Sequence, residues 1–137
     1  MLLDSLITNI DRTVRNTNLL NWKKELWLID HGASLYFHHA WHNWEAHAKR
    51  TFPAIKDHVL LAKSSLLKQA ATEIKQQITP SLLQAIVDII PEDWLTGTPT
   101  EVSPSEKKNG YLKYLSIRLS NLDLLTKEAS DARTASI

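Results

Sequence analysis

Asp11 and Asn16 stand five residues apart in the segment DRTVRN, and Asp30 follows in WLIDHG, directly before His31 and Gly32. A carboxylate, an amide oxygen and a second carboxylate are the hard-oxygen donors that Mg²⁺ takes, with positions left to water or substrate phosphate. Phosphoryl transfer asks little more of a protein. One carboxylate orients or deprotonates an attacking hydroxyl, and oxygen ligands hold the cation against the nucleotide phosphates. The short D-x-x-x-x-N pattern also has a plainer explanation, because Asp and Asn in loops are usually turn formers.

The elements around these residues decide between the two. Leu2, Leu3, Leu6, Ile7 and Ile10 recur at helical spacing, which predicts a short amphipathic helix over 2–10 that delivers the chain to Asp11. DRTVRNTN is rich in residues that bond their own backbone and favour turns. LLNW and ELWLID, separated by Lys23 and Lys24, predict a hairpin even without Asn-Gly or Gly-Gly at the turn. Such a reversal returns the chain from Asn16 to Asp30 nearly where it left, so an amide and a carboxylate can face one metal.

The order of Asp, then Asn, then a hairpin, then Asp-x-Gly resembles the catalytic and metal loops of the protein-kinase-like superfamily, with D-H-G in place of the usual D-F-G. The string NIDRTVRNTNLLNWKKELWLIDHGASLYFHH is similar to the HipA-like kinases, in particular the bacterial HipA family kinase group, as are FPAIKDHVLL, IPEDWL and YLKYLSIRL downstream. The resemblance covers most of the chain. It implies a mainly α fold, the helical carboxy-terminal lobe of a kinase-like fold with a small β-hairpin carrying the metal loop, as one domain over 1–137. It also implies an ATP-dependent, Mg²⁺-requiring transfer to a hydroxyl, with protein Ser or Thr the family expectation. In that reading Asp11 is the catalytic aspartate and Asn16 and Asp30 are Mg²⁺ ligands. Arg15 is a phosphate contact and Asn18 a secondary candidate on the cofactor side. Arg12 is expected to pair with a carboxylate and brace the loop.

Kinases of this kind need a lysine-bearing sheet for the nucleotide. Here the chain starts ten residues before Asp11, and Gly32, Gly97 and Gly110 are too scattered for a phosphate-cradling loop. The expectation is therefore a lobe whose nucleotide-binding half is missing, inactive alone, with the missing lobe or a protein partner on the hairpin face and self-association as the other consequence of an exposed hairpin. The rival reading is a non-enzymatic helical interaction module derived from such a lobe.

Beyond Gly32 the pattern predicts helix. Leu60, Leu61, Leu66, Leu67, Ala70, Ala71, Ile74 and Ile78 suggest one longer helix from about 63 to 78, and Thr79-Pro80 opens another with Leu82, Leu83, Ile86, Val87 and Ile90 as its stripe, stopped by Pro91. TGTPTEVSPS reads as linker. Ser103-Pro104-Ser105-Glu106 is a capping box for a helix through Leu119, with Gly110 a flaw inside it, and a last helix runs from about 122 to 133 before a fraying TASI tail.

His31, His38, His39, His42 and His47 crowd one stretch, and His38 and His42 would share a face on a helix and could hold zinc or nickel. With Trp41 and Trp44 among them, aromatic packing with imidazoles bonded to backbone or water is the simpler account. Trp22, Leu26, Trp27 and Leu28 on the hairpin are expected to line the core. Sixteen Lys+Arg against fifteen Asp+Glu leave a formal charge of +1, no electrostatic case for nucleic acid or anionic lipid, and the absence of cysteine excludes thiolate chemistry. An acid at position 4 and no long apolar run argue against a signal peptide or membrane span, which points to a soluble, cytoplasmic protein.

Overall fold

A computed structural model describes residues 1–97 and 101–136. It is mainly helical, with a small two-stranded antiparallel hairpin. The first helix, α1 (Leu2–Ile7), is shorter than its apolar pattern suggests. Thr8 takes a left-handed conformation at φ 53° and stops it, and the Thr8 and Asn9 N–H groups both close on the Asp4 carbonyl. One side of α1 buries Leu2 and Leu6, and the opposite side buries Asp4, so this short helix is enclosed on both sides.

Strands β1 (Leu19–Trp22) and β2 (Glu25–Leu28) pair in the register Leu19↔Leu28 to Trp22↔Glu25. Lys23 and Lys24 form the two-residue turn, both with positive φ (50° and 68°), the backbone that a primed hairpin turn demands. The hairpin does not line the core as its composition suggests: Trp22, Leu26 and Trp27 are each at least half exposed.

The stretch after Gly32 is less helical than its pattern. It winds through 3-10 turns at Tyr36–His39, Pro53–Asp57 and Leu61–Lys63 and a single short helix, α2 (Trp44–Ala48). His38 lies in the first of these turns and His42 beyond it, so the two share no helical face. Among the described residues no three His, Cys, Asp or Glu side chains gather as a metal-ligand set.

Four longer elements follow or complete the packing. The helix expected over 63–78 is α3 (Leu67–Gln77), and α4 (Pro80–Asp88) starts on Thr79, whose hydroxyl accepts the Leu82 N–H. α4 buries Leu83 and Val87 and turns Leu82 and Ile86 to solvent, so half of its apolar stripe faces outward. Of the segment read as linker, 98–100 lie outside the described residues. The Ser103–Glu106 capping box opens α5 (Pro104–Ser120), and α6 (Leu122–Ala135) carries helix into the tail expected to fray. Gly110 is tolerated inside α5 for a packing reason: a Cβ there would lie 2.6 Å from the Trp41 ring.

Two apolar clusters result. Leu2, Leu6, Ile55, Leu67, Leu122 and Leu125 join α1, α3, α6 and the Pro53–Asp57 turn. Phe37, Val87, Leu95, Tyr111 and Tyr114 join the aromatic segment to α4 and α5, with Phe37 stacked on Tyr114 at 4.3 Å between ring centroids. Each fully buried Leu or Phe contributes roughly 1.5–3 kcal/mol. Arg118 of α5, fully buried, donates to the carbonyls of Ser5, Ala48 and Arg50 and so ties α5 to α1 and to the end of α2. No helix among the described residues is long and apolar enough to cross a membrane.

Candidate functional site

Asp11, Asn16 and Asn18 meet on one side of the loop between α1 and β1. The Asn16 amide donates to Asp11 Oδ2 at 2.7 Å, and the Asn18 amide donates to the same oxygen at 3.3 Å and to the Asp30 carbonyl at 3.4 Å. The hairpin does what a reversal must: it brings the backbone of Asp30 against a side chain two residues past Asn16. Asp30 sits at φ 50° and Asn18 at φ 43°, left-handed positions that Asp and Asn tolerate better than most residues. One Asp30 carboxylate oxygen takes the Gly32 N–H at 3.3 Å.

Hydrogen bonds bring the Asp30 backbone, and not its carboxylate, to Asp11, Asn16 and Asn18. Asn16 directs its N–H to Asp11 and keeps its carbonyl oxygen as an acceptor, and Asp30 is exposed with an oxygen beyond the one that meets Gly32. Oxygen ligands with room for water are what Mg²⁺ prefers. Arg15 takes a different direction. It is exposed and lines, with Thr13, Val14, Lys56 and Val59, a groove of about 590 Å³ beside the loop.

Beneath the loop lies a set of buried polar groups centred on the Asp4 carboxylate. Its Oδ1 accepts from Asn9 Nδ2 at 3.0 Å and from Arg12 Nε at 3.1 Å, and its Oδ2 accepts from His58 Nε2 at 3.0 Å. Asp4, Asn9, Arg12 and His58 are all 5% exposed or less. His58 Nδ1 accepts the Leu60 N–H at 3.0 Å, which fixes the tautomer so that Nε2 carries the proton given to Asp4. Burial by itself would raise the Asp4 pKa, but the His58 hydrogen bond, the Met1 ammonium and Arg12 outweigh it and hold the carboxyl well below the usual range.

The carboxylate partner expected for Arg12 is thus Asp4. The sequence singles out neither Asn9 nor His58, and Asp4 enters it only as an acid that argues against a signal peptide or membrane span. Asp4 lies about half a turn round α1 from Leu2 and Leu6, on the side the apolar pattern leaves polar, so helical spacing gave no sign that it would be a buried carboxylate in need of partners. His58 carried no local signal, because its antiparallel bridge to Thr13 is formed across a long separation in sequence.

The histidine-rich stretch serves packing. His38 Nδ1 meets the Tyr111 hydroxyl, and the ring stacks on Tyr111 with centroids 6.0 Å apart. Burial pushes Tyr111 up to about 12 and, with the charges of His39 and Lys107, pulls His38 below the ordinary imidazole value. His42 Nδ1 bonds the Ala40 carbonyl at 2.7 Å.

No family model matches this chain, and no curated protein or solved structure matches it either.

Proposed function

We propose that the chain is the catalytic-loop and metal-loop lobe of a HipA-like kinase, transferring the γ-phosphoryl group of ATP to a hydroxyl, with protein Ser or Thr as the acceptor class. The observation that carries this reading is the cluster of Asp11, Asn16 and Asn18 against the Asp30 backbone at the mouth of the hairpin. In this reading Asp11 orients the acceptor hydroxyl and takes its proton. The acceptor oxygen forms the new bond to phosphorus as the bond to the bridging oxygen of ADP breaks. Asn16 and Asp30 would hold Mg²⁺, which would neutralise charge on the phosphates. Asn18 keeps the two loops together, and in this reading Arg15, which lines the neighbouring groove, would meet a phosphate or the acceptor chain there. The nucleotide-binding lobe is supplied by another segment or another chain.

The test is phosphate transfer from radiolabelled ATP by this chain and by a form extended upstream along its gene. The extended form should transfer phosphate with Mg²⁺, lose at least about 100-fold in kcat on Asp11→Ala, and lose activity on Asp30→Ala. The 137-residue chain should be nearly inactive. An extended form that binds ATP but transfers nothing would sink the enzymatic reading.

One observation favours a second reading, a non-enzymatic interaction module: Trp22, Leu26 and Trp27 are offered to solvent on the hairpin. It requires that a partner bind the hairpin and that Asp11→Ala leave every cellular role of the chain unchanged.

A further inference from the structure

We infer that Asp4, Arg12 and His58 form a buried positioning unit that holds the Asp11 loop and the Asp30 loop at one fixed spacing. Its geometry is independent of the kinase reading; its functional meaning rests on that reading. Arg12 follows Asp11 directly, and its guanidinium reaches both arms of the hairpin. Nη1 donates to the carbonyls of Asn18, which precedes β1, and of Ile29, which follows β2, the latter at 3.3 Å. Nη2 lies 3.2 Å from His31 Nε2, next to Asp30. One rigid fork therefore spans the loop that carries Asp11 and the loop that carries Asp30.

A fork positions only if it is itself held. Nε–H is fixed by Asp4, Asp4 is fixed by the His58 N–H, and His58 is locked by the Leu60 amide and the Thr13 bridge. Asn9 extends the same control to Asp11: its Nδ2 donates to Asp4, and its Oδ1 accepts the Asp11 backbone N–H at 3.2 Å. Asp4 thus reaches the Asp11 backbone through Asn9 and, through Arg12, the two residues that flank Asp30, Ile29 and His31. Lysine cannot replace Arg12, since an ammonium lacks the planar fork that reads several acceptors in fixed directions. Asp4, Arg12 and His58 touch neither substrate nor cation in this scheme, and act through Asp11, Asn18 and Asp30.

The experiment is amide NMR on the 137-residue chain, reading hydrogen exchange without metal and paramagnetic broadening during a Mn²⁺ titration. Three variants leave both partners of the Asp4–Arg12 ion pair in place. His31→Ala removes one exposed contact of the fork, and His58→Gln keeps a donor for Asp4, with His58→Phe as its non-donating counterpart. The expected result is faster exchange at Ile29 and Gly32 in His31→Ala and His58→Phe, recovered in His58→Gln, while amides of α3 and α6 are unchanged. Mn²⁺ should broaden the Asn16 and Gly32 amides together, with an affinity that falls about tenfold in the same two variants, as for other outer-shell partners of metal ligands. Unchanged exchange and unchanged Mn²⁺ affinity in both variants would overturn the positioning unit and leave the kinase reading intact. Broadening absent from the wild-type chain would count against the metal site alone, and the exchange data would still decide the positioning unit.

Discussion

The hairpin and the polar cluster beneath it invert the usual distribution of side chains. Trp22, Leu26 and Trp27 stand in solvent, whereas Asp4, Arg12 and His58 are enclosed. Where α3 packs on α6 the ordinary rule holds, with Leu67, Leu122 and Leu125 buried and Lys75, Asp123, Lys127 and Asp131 paired on the surface. The difference shows how the hairpin is placed. Two apolar clusters position the helices, with Arg118 bonds added to them, whereas the hairpin joins neither cluster and is held at its roots by the bonds of Arg12 to backbone carbonyls. A hairpin held by its roots leaves its tryptophans available to another surface.

The largest effect should come from removing the centre of that cluster. Asp4→Ala leaves a buried guanidinium without its counter-charge and deprives Asn9 and His58 of their acceptor, and breaking one partner of a buried ion pair costs about 3–5 kcal/mol. Trp27→Ala, on an exposed strand, should change stability by less than about 0.5 kcal/mol. Urea denaturation of both variants measures the contrast. Similar values for the two would mean that the buried cluster does not hold the fold.

A second variant tests the other packing regime. At exposed helical sites Gly→Ala gains about 1 kcal/mol, yet at Gly110 the added methyl would press into the Trp41 ring. Overpacking of this kind costs about 1–3 kcal/mol. Gly110→Ala should therefore lower the thermal midpoint, and a rise would show that Trp41 yields freely.

The parts of this molecule that were legible in its sequence are those governed by local chemistry. Thr79-Pro80 and the Ser103–Glu106 box start helices where their caps require it, and LLNW and ELWL form the expected strands. Asp11, Asn16 and Asn18 come into contact because the loop between them is short. What the pattern obscured depended on distant partners. Helical spacing after Gly32 produced 3-10 turns, because aromatic packing around Phe37 and Tyr114 sets the path there. The tryptophans of the hairpin look like core residues until Arg12 is seen to anchor its base. His58 reaches Asp4 across most of the first sixty residues, and no local spacing announces that bond.

Acid sharpens the same contrast with a smaller effect. Asp4 is held below its ordinary pKa in the folded chain, so the unfolded chain binds this proton first as the pH drops. Its contribution is complete above the ordinary carboxylate value of about 4 and is lost as the pH falls toward the lower native value. His38 is also depressed, by burial first and then by His39 and Lys107, so its contribution is complete above about 6.5 and declines as the pH falls below that. Thermal midpoints should fall between pH 7 and 5 less steeply in His38→Phe than in the parent. Below pH 4, Asp4→Asn should flatten the curve, and a parallel curve would remove Asp4 from the account.

The smallest effect concerns the turn itself. Lys23 and Lys24 both occupy left-handed backbone, which costs an L-residue about 1 kcal/mol or more apiece relative to the right-handed region. Asn-Gly suits the same turn without that penalty. If the hairpin is anchored only through its roots, it opens locally without unfolding the helices, and relief at its tip stays local. K23N/K24G should then slow hydrogen exchange at Leu20 and Trp27 by about fivefold, the factor for roughly 1 kcal/mol, and leave the global midpoint within error. A matching rise in the global midpoint would tie the exposed hairpin cooperatively to the helical core, and the division between a packed region and a bonded one would no longer stand.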